Sequence, residues 1–580
     1  MPSSAVLGGT VSVTGNGGYY KGTYDDATVN MLGGTQTLAP SAGLSITGTG
    51  GTAILAMGSA AVVAPQAATQ YRDIRKIDTD DVNVVLERPE GVALNLLEAS
   101  SMRGGSLEIQ VSQEEFASGT AELITGETLR LDGTTVYITT GVPADSMVLE
   151  NVPDTLGYAT IDPVGVLDIQ FDSAAFAKYY SDVVAEDGMI KLVRNTSYVT
   201  DSVQTTSSNG AAGAALLQDA FNTLNPQGNA AEYADLATAL TAVDNGAVSD
   251  TAAAALAGAS TAALGMAVSN DLERQLRAIR NRTTTMGVDQ TVWNEDLPYL
   301  NAWINAEGDF AELDAENSST SGYEMTSWGG TVGFDVDITP EFCAGLALTA
   351  MYGDYKVQGP DRAEGDVNTY YVSAFARYAA SAWTHTFVMT AGLADTDIER
   401  TVQLGNASYT AQGDTTGFSF GAMYEVGRVI AMNEDASACF QPIFNVALRY
   451  VSMDGYAESG SDAALAVDSQ DVTTVTAGLG ARLQAVVGES VYNRSSILEL
   501  RAMLKADAGD RSADSTVGLV NGNTTATVEG SESSVLGVEL GAGLTIPMGM
   551  ESGSIFMDVS AELRSGYTNA NATVGYRINF

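Results

Sequence analysis

Residues 298 to 580 alternate apolar and polar side chains in twelve segments, the period-2 signature of strands with two unlike faces. The last segment puts Ala570, Ala572, Val574, Tyr576, Ile578 and Phe580 on one face and Asn569, Asn571, Thr573, Gly575, Arg577 and Asn579 on the other. The segment before it sets Ile555, Met557, Val559, Ala561 and Leu563 against Asp558, Ser560, Glu562 and Arg564. In ILELRAMLKAD, Leu498, Leu500, Ala502, Leu504 and Ala506 oppose Glu499, Arg501, Lys505 and Asp507. VTAGLGARLQA and LGVELGAGLTI repeat the scheme, with Arg482 and Glu539 on the polar face.

Soluble sandwiches alternate too, so three further features carry the reading. The polar face mixes both charge signs with many glycines, while the other face is free of charge across whole segments. Many segments reach about 10 residues, the length a tilted strand needs to cross a bilayer. Short turns at Pro340 and Ser381 alternate with longer polar loops around Asn317, Gly460 and Asn521. Together they predict a closed antiparallel transmembrane barrel with a wet polar lumen and no unpaired edge facing lipid. Tyr352, Tyr378, Trp383, Phe444, Tyr450, Tyr576 and Phe580 fall near segment ends and suit interfacial girdles; core packing is the alternative.

Residues 1 to about 200 show shorter strand patterns, among them LEIQV from Leu107, LRL from Leu129, VYI from Val136 and LDIQF from Leu167. Gly-Gly-Thr recurs at Gly8, Gly33 and Gly50, at about the spacing of a solenoid rung. A parallel β-helix is the favoured reading here, with a β-sandwich as the alternative. A Ser/Thr/Gly/Ala linker follows, then helical patterns. Leu216, Phe221 and Leu224 share one face, ended by Asn225 and Pro226. Leu236, Leu240 and Val243 share another, ended by Asn245 and Gly246. A third helical pattern runs from about Asp250 to Arg282. The reading is therefore mostly β, in three parts: a β-helix-like segment over 1–200, a helical linker over 201–283, and a 12-stranded antiparallel barrel over 284–580.

Composition narrows the chemistry. The 580 residues carry a formal net charge of −44, which argues against nucleic acid as a partner and suits a solvated outer surface. Two cysteines, Cys343 and Cys439, exclude a disulfide-stapled scaffold. They fall on segments that are not neighbours, so free thiols are expected. A single His, His385, leaves no histidine-based metal site or catalytic triad. Asp78, Asp80 and Asp81 cluster as a Ca²⁺ site would, but a solvated turn is the preferred reading. No metal, cofactor, nucleophile motif or phosphate loop is expected. The N-terminus lacks the basic and apolar regions of a signal peptide, so an exported form would be mature or truncated. The longest uncharged run, from Thr251 to Asn270, is long enough to span a bilayer but consists mostly of small residues with little transfer energy.

One stretch reverses the general charge. AVSNDLERQLRAIRNR brings Arg274, Arg277, Arg280 and Arg282 together with only Asp271 and Glu273. Spacing of three gathers Arg274, Arg277 and Arg280 on a helix surface. The inward acids Glu307, Glu499, Glu539, Asp558 and Glu562 are placed to meet them. A helix so charged would plug the lumen, although a solvated surface helix is the plainer alternative.

The chain ends in YRIN and a terminal Phe580, with apolar residues alternating back through Ile578 and Tyr576, and this resembles the last strand of outer-membrane proteins. The order of upstream β-segment, helix, twelve strands and terminal Phe is similar to the type V autotransporter family. LNAWINAEGDF, from Leu300 to Phe310, looks like that family's opening strand. The stretch from Gly322 to Tyr355 looks like its second and third strands around a tight turn. The resemblance covers roughly the last 330 residues. It implies outer-membrane lipid, the barrel assembly machinery and periplasmic chaperones as partners, with Tyr576, Ile578 and Phe580 as the assembly signal. It implies a helix through the pore and an N-terminal passenger at the cell surface. Some members cut themselves at an Asn in that helix. Asn270 and Asp271 sit in a similar place, but with one Asn where the members that cut carry a pair. Four readings follow: export and anchoring of the chain's own passenger, a surface adhesin with a host or neighbouring-cell ligand, a hydrolytic or self-cleaving enzyme, and an open diffusion pore, against which the basic helix argues.

Overall fold

The computed structural model describes residues 6–18, 20, 23–58, 69–118, 121–139, 155–164, 168–171, 180–187, 189–224, 236, 242–243, 246–285, 299–434, 437–491, 494–548 and 553–579. The chain divides into two compact units, Met1–Tyr198 with Phe221–Ala234, and Val199–Ala220 with Asp235–Phe580. Pro226, Leu240, Asn245, Pro298 and Phe580 lie outside the described residues, and so does the side chain of Leu224.

In the first unit the strands pair in parallel. Thr23–Leu38 lies between Val6–Val13 and Leu44–Ala56. Leu44–Ala56 passes the ladder to Lys76–Asp80 and Asn83–Glu87, Asn83–Glu87 passes it to Ser106–Gln110, and Ser106–Gln110 to Thr135–Thr139. Register stacks like on like. Leu38, Leu55, Leu86, Ile109 and Ile138 form one buried aliphatic column, each opposite the next. The branched and long apolar side chains expected on one strand face thus close a core between successive turns of chain. A hairpin of Tyr180–Glu186 and Met189–Arg194, antiparallel to Thr155–Val164, ends the parallel run.

The glycine repeat is only partly in step. Thr35 faces Thr52, so the second and third Gly-Gly-Thr sequences stack. The first does not join them, because Thr10 faces Thr28. Gly15 takes the corner instead. A Cβ on Gly34, at φ +69°, would lie 2.2 Å from Gly15 backbone, and one on Gly51 would lie 2.6 Å from Gly34. Close backbone approach with left-handed φ admits only glycine there.

Besides the barrel and the short helix Tyr198–Ser202, the second unit includes three further helices, the first of them only as far as Ala220. Helix α1 is Ser208–Leu224, α2 is Asp250–Leu256 and α3 is Thr261–Thr285. The single helical pattern from Asp250 is therefore broken. Gly258 takes φ +70°, and α2 and α3 bend by 67°. No single helix among the described residues is long and apolar enough to cross a membrane.

Twelve antiparallel strands close the barrel. They are β1 Tyr299–Leu313, β2 Gly322–Thr339, β3 Phe342–Gln358, β4 Arg362–Ala380, β5 Trp383–Leu404, β6 Ala407–Arg428, β7 Ala438–Met453, β8 Gln470–Val491, β9 Arg494–Gly509, β10 Leu536–Pro547, β11 Gly553–Arg564 and β12 Tyr567–Asn579. The last pairs with the first from Asn301 opposite Asn579 to Leu313 opposite Tyr567, so no edge remains. Closure matters because unpaired backbone groups in lipid cost several kcal/mol each.

The outward face is apolar over a belt. On β2 it runs from Trp328 through Val332 and Phe334 to Ile338, all exposed. Ten residues of strand span roughly 33 Å, which tilt reduces to about 25 Å, a bilayer's apolar height. Trp328 packs on Tyr352 at one margin, with ring centroids 5.4 Å apart. Tyr378, His385 and Tyr424 stack at the other, where His385 Nδ1 lies 2.7 Å from Tyr424 Oη.

Charge does enter the outward face, contrary to expectation, but only beyond the belt. Above Tyr352, Tyr370, Leu393 and Phe418 come exposed Asp354, Asp366, Asp395, Asp397 and Asp414. Strands β5 and β6, 22 residues each, rise clear of the belt here. The loop asymmetry is partial for the same reason. The loops around Asn317, Gly460 and Asn521 are long, whereas 405–406 and 565–566 are two-residue turns at the same end. Around Gly460 and Asn521, Tyr456–Ala457, Leu465–Val467, Ser515–Leu519 and Thr525–Val528 form a small separate sheet.

Leu348 is exposed within the belt, and Asp397 lies beyond it. Leu348→Arg is expected to destabilise the barrel by about 2–4 kcal/mol. Asp397→Arg is expected to shift it by no more than about 0.5 kcal/mol. Urea titration of folded barrel in lipid vesicles measures both.

Candidate functional site: the helix-filled lumen

The site is the inside of the barrel, and α3 occupies it. From Thr261 to Thr283 every residue of α3 is buried except Ala278, which is half-buried. The helix is roughly 37 Å long and runs the height of the belt. A helix with four Arg and two acids cannot rest against hydrocarbon, so its surroundings must be protein and must be charged.

Two faces of α3 meet two unlike walls. The charged face looks mainly to β1 and β9 through β12, and reaches Glu425 on β6 and Arg449 on β7 as well. Arg274 reaches Glu307 on β1 and Asp271 one turn back, both at 2.9 Å. Arg277 reaches Glu562 on β11 at 3.0 Å and also Asn569 on β12. Arg280 pairs with Glu539 on β10, with Glu425 of β6 at 3.6 Å. In the other direction, Glu273 accepts from Lys505 on β9 and from Arg449 on β7, the latter at 2.8 Å. The apolar face looks mainly to β2 through β7. Leu276 and Ile279 pack into a cluster with Ala347, Phe375, Val388, Met423 and Ala447. Nearer the loops, Leu264, Val268 and Leu272 pack with Tyr323, Tyr355, Tyr371 and Val451.

The lumen is thus not the wet polar channel that alternation predicts. Inward aromatics sit in sockets left by glycine on the next strand. Trp303 faces Gly333, where a Cβ would lie 2.2 Å from the indole, and Phe556 faces Gly575 at the same spacing. These two rings receive Arg282, whose guanidinium lies 4.6 Å from the Phe556 centroid and 5.6 Å from that of Trp303. Arg282, expected to seek acid, stacks on aromatic faces at the terminus end of the barrel.

The remaining sequence-predicted residues fall as follows. Glu307, Arg482, Glu499, Arg501, Glu539, Glu562 and Arg577 are buried in the lumen, with Asp558 slightly less so. Glu499 was expected to meet the helix, but its ion pairs run to Arg482 at 3.3 Å and Arg501 at 3.0 Å, along the wall. Asp558 does both, pairing with Arg501 at 2.6 Å and accepting from Asn281 of α3 at 3.2 Å. Tyr576 and Ile578 lie on the outward face of β12. Asn270 lies within unbroken helix. Its Nδ2 donates to Tyr323 Oη at 2.7 Å, and its Oδ1 accepts from Arg449 at 3.3 Å. Asp271 is held by Arg274, Thr369 and Tyr371. In the first unit, Asp78 accepts from Lys76 and Ser101. Neither cysteine is in a disulfide.

Sequence reasoning missed the loop-end anchors. Asp361, in the turn between β3 and β4, accepts from the Ser260 backbone N–H at 3.1 Å and from its hydroxyl at 2.5 Å. This carboxylate caps the start of α3 from 101 residues away. Burial pushes its pKa up, while Arg400 and Ser260 pull it back. Arg400 itself is buried against Glu458 and donates to the Ala255 carbonyl of α2 at 3.2 Å. Asn209 of α1 donates to the Ser319 carbonyl, and Asp219 accepts from Asn523 and Thr524 in the loop after β9. Lys505 and Glu273 were visible as inward and helical charges while Arg449 was not singled out, and nothing local pairs Glu273 with residues 176 and 232 positions further on.

Residues 302–560 match a family model described as the autotransporter β-domain. The esterases EstA of Pseudomonas aeruginosa and Pseudomonas putida are each 28% identical over 183 residues, covering 31% of this chain and 28% of theirs. The chain thus spans less than a third of the length of these curated relatives. The translocator domain of autotransporter NalP from Neisseria meningitidis is similar at 16% identity, covering 55% of this chain and 99% of that one, with TM-score 0.42. The β-domain of the Bordetella autotransporter BrkA is similar at 17% identity, covering 48% and 98%, with TM-score 0.33.

Glu307 takes its described hydrogen bonds from Arg274 and Thr331. Arg274→Met is expected to cost about 3–5 kcal/mol by leaving that acid without its cation. Adding Glu307→Gln is expected to restore at least half of the loss. Equal instability of the single and double variants in urea would count against the pairing.

Proposed function

The chain's residues 302–560 belong to the autotransporter β-domain family, and from that premise we propose that α3 is the pore helix that seals the barrel and tethers residues 1–240 at the cell surface. The barrel inserts in the outer membrane and mediates export of the chain's own passenger. The passenger, on this reading, is the parallel-stacked first unit, a β-helix-like stem. The filling of the lumen by α3, charged face to charged wall, is the observation that carries the sealing role. Its direction supports the topology, since its N-terminal end lies among the long loops and its C-terminal end beside Trp303 near the barrel's own termini. Tyr576, Ile578 and Phe580 serve as the signal for the barrel assembly machinery, with periplasmic chaperones holding the chain beforehand.

The adhesin reading is the second choice and rests on the acidic, β-rich first unit, whose ligand would be a host or neighbouring cell. The relatives named as esterases suggest a hydrolytic passenger. Within these 580 residues, however, the one His is His385, on the barrel's outer girdle, so a His-dependent serine hydrolase cannot be assembled here. Self-cleavage at Asn270 is disfavoured as well. Cyclisation needs the side-chain nitrogen to reach its own carbonyl carbon, and that nitrogen is engaged by Tyr323 inside a continuous helix.

Single-channel conductance of the full chain in planar bilayers is expected to be low, and to rise stepwise on deleting residues 264–282. An equal conductance would remove the sealing role. Protease added to intact cells is expected to digest residues 1–240 and spare the barrel; full protection would reverse the topology. Asn270→Ala is expected to leave the band pattern of the mature chain unchanged.

A further inference from the structure

At the terminus end of the lumen, four polar side chains form a patch on one inner face of the sheet. Asp335 and Asp337 are two residues apart on β2 and share that face. Cys343 on β3 is directly opposite Asp337, and Asn301 on β1 is directly opposite Asp335. All four are buried. Among the described residues, Asp335, Asp337 and Cys343 form the one group of acid and thiol ligands whose donor atoms lie within 4.8 Å of one another.

We propose that this patch is a site for a divalent transition metal of the zinc class, with Asp335, Asp337, Cys343 and the Asn301 amide oxygen as ligands. Three observations lead there. The first is spacing. The Cys343 Sγ lies 3.9 Å from Asp335 Oδ2, and the Asn301 amide nitrogen lies 2.7 Å from Asp335 Oδ2 and 3.0 Å from Asp337 Oδ2. Donor atoms about 2.0–2.3 Å from a tetrahedral metal stand at comparable separations from one another.

The second is polar atoms without partners. Asp335 Oδ1 and Asn301 Oδ1 are buried and accept no hydrogen bond, in residues 0% and 1% exposed. Buried acceptors are normally satisfied, and those that are not often mark an absent ion. A half-turn of the Asn301 amide would aim its oxygen at both carboxylates. That arrangement is repulsive alone and favourable around a cation.

The third is charge. Two carboxylates and a thiolate bring three negative charges, one more than the Arg577 and Arg377 guanidinium groups supply, and that excess is left for the ion to meet. Arg577 Nη2 lies 3.5 Å from Asp335 and 4.0 Å from Asp337, at the outer edge of ion pairing. Arg377, opposite Cys343 on β4, flanks the patch on the other side. The thiolate selects the zinc class over calcium or magnesium, which prefer oxygen ligands alone. On binding, the Cys343 thiol gives up its proton to solvent and its sulfur lone pair to the metal, so one proton is released per ion.

Cobalt(II) is the probe. Full-length chain, folded in detergent and stripped with chelator, is titrated with Co²⁺ while absorbance and proton release are followed. A thiolate-to-cobalt charge-transfer band that saturates at one ion per chain, and that Zn²⁺ displaces, is expected. Cys343→Ser should abolish the band, and Cys439→Ser should leave it intact. Asp337→Asn should weaken Co²⁺ binding at least as much as the roughly 10–100-fold loss that changing an outer-shell partner brings. Heat-modified gel mobility verifies that each variant is a folded barrel. Absence of the band in folded wild-type chain, or a band that follows Cys439 instead, overturns the site. Neither result bears on whether α3 seals the pore, because conductance is read separately.

Discussion

A helix that carries four guanidinium groups and two carboxylates through the middle of a membrane protein is stable only if the wall around it answers each charge. Here most of the answering charges stand on β1 and β9 through β11, with Arg449 on β7 and Glu425 on β6 reaching the helix from the other wall. Glu307, Glu539 and Glu562 receive Arg274, Arg280 and Arg277, while Lys505 and Arg449 receive Glu273. Desolvating so many ions would be prohibitive were any left single. Pairing therefore fixes rotation and depth of the helix together. The apolar side of α3 then has no choice but to face mainly β2 through β7, and the inward aromatics and small residues of those strands follow from that.

The outside of the barrel obeys a simpler rule. Where hydrocarbon touches the strands, outward positions are apolar; where water does, the same positions become Asp and Glu within two residues. The break is sharp on β5, between Leu393 and Asp395. Longer strands rather than longer loops lift part of the loop end above the belt. Loop length by itself was for that reason an incomplete guide to which side of the membrane a turn occupies.

Much of this was legible in the sequence because it is periodic. Alternation located the barrel strands, and the three-residue spacing of Arg274, Arg277 and Arg280 located the charged helix. Inward Trp303, Phe375 and Tyr371 were not legible, since their place depends on glycines or small residues on neighbouring strands. Gly258 read as one more small residue in a helical run. Its left-handed φ breaks the run just before Ser260, which Asp361 caps from 101 residues further along the chain. The Gly-Gly-Thr repeat misled in the same way. Its second and third copies stack, while the first is displaced by a register that only the folded chain sets. The Asp335, Asp337 and Cys343 group was hidden for a similar reason, as Cys343 is eight residues from Asp335 in sequence but beside it across a hairpin.

The position of two of these ion pairs has a mechanical meaning. A cylinder rolled from one sheet has a single join, here between β12 and β1, and the join is where a hoop under lateral pressure opens first. Arg274 fastens to β1 through Glu307, and Arg277 fastens to β12 and β11 through Asn569 and Glu562. The two rivets straddle the join and are driven from one rigid shaft. The hoop is then strongest when the shaft is home, and a barrel whose polypeptide is still in transit is the more compliant object.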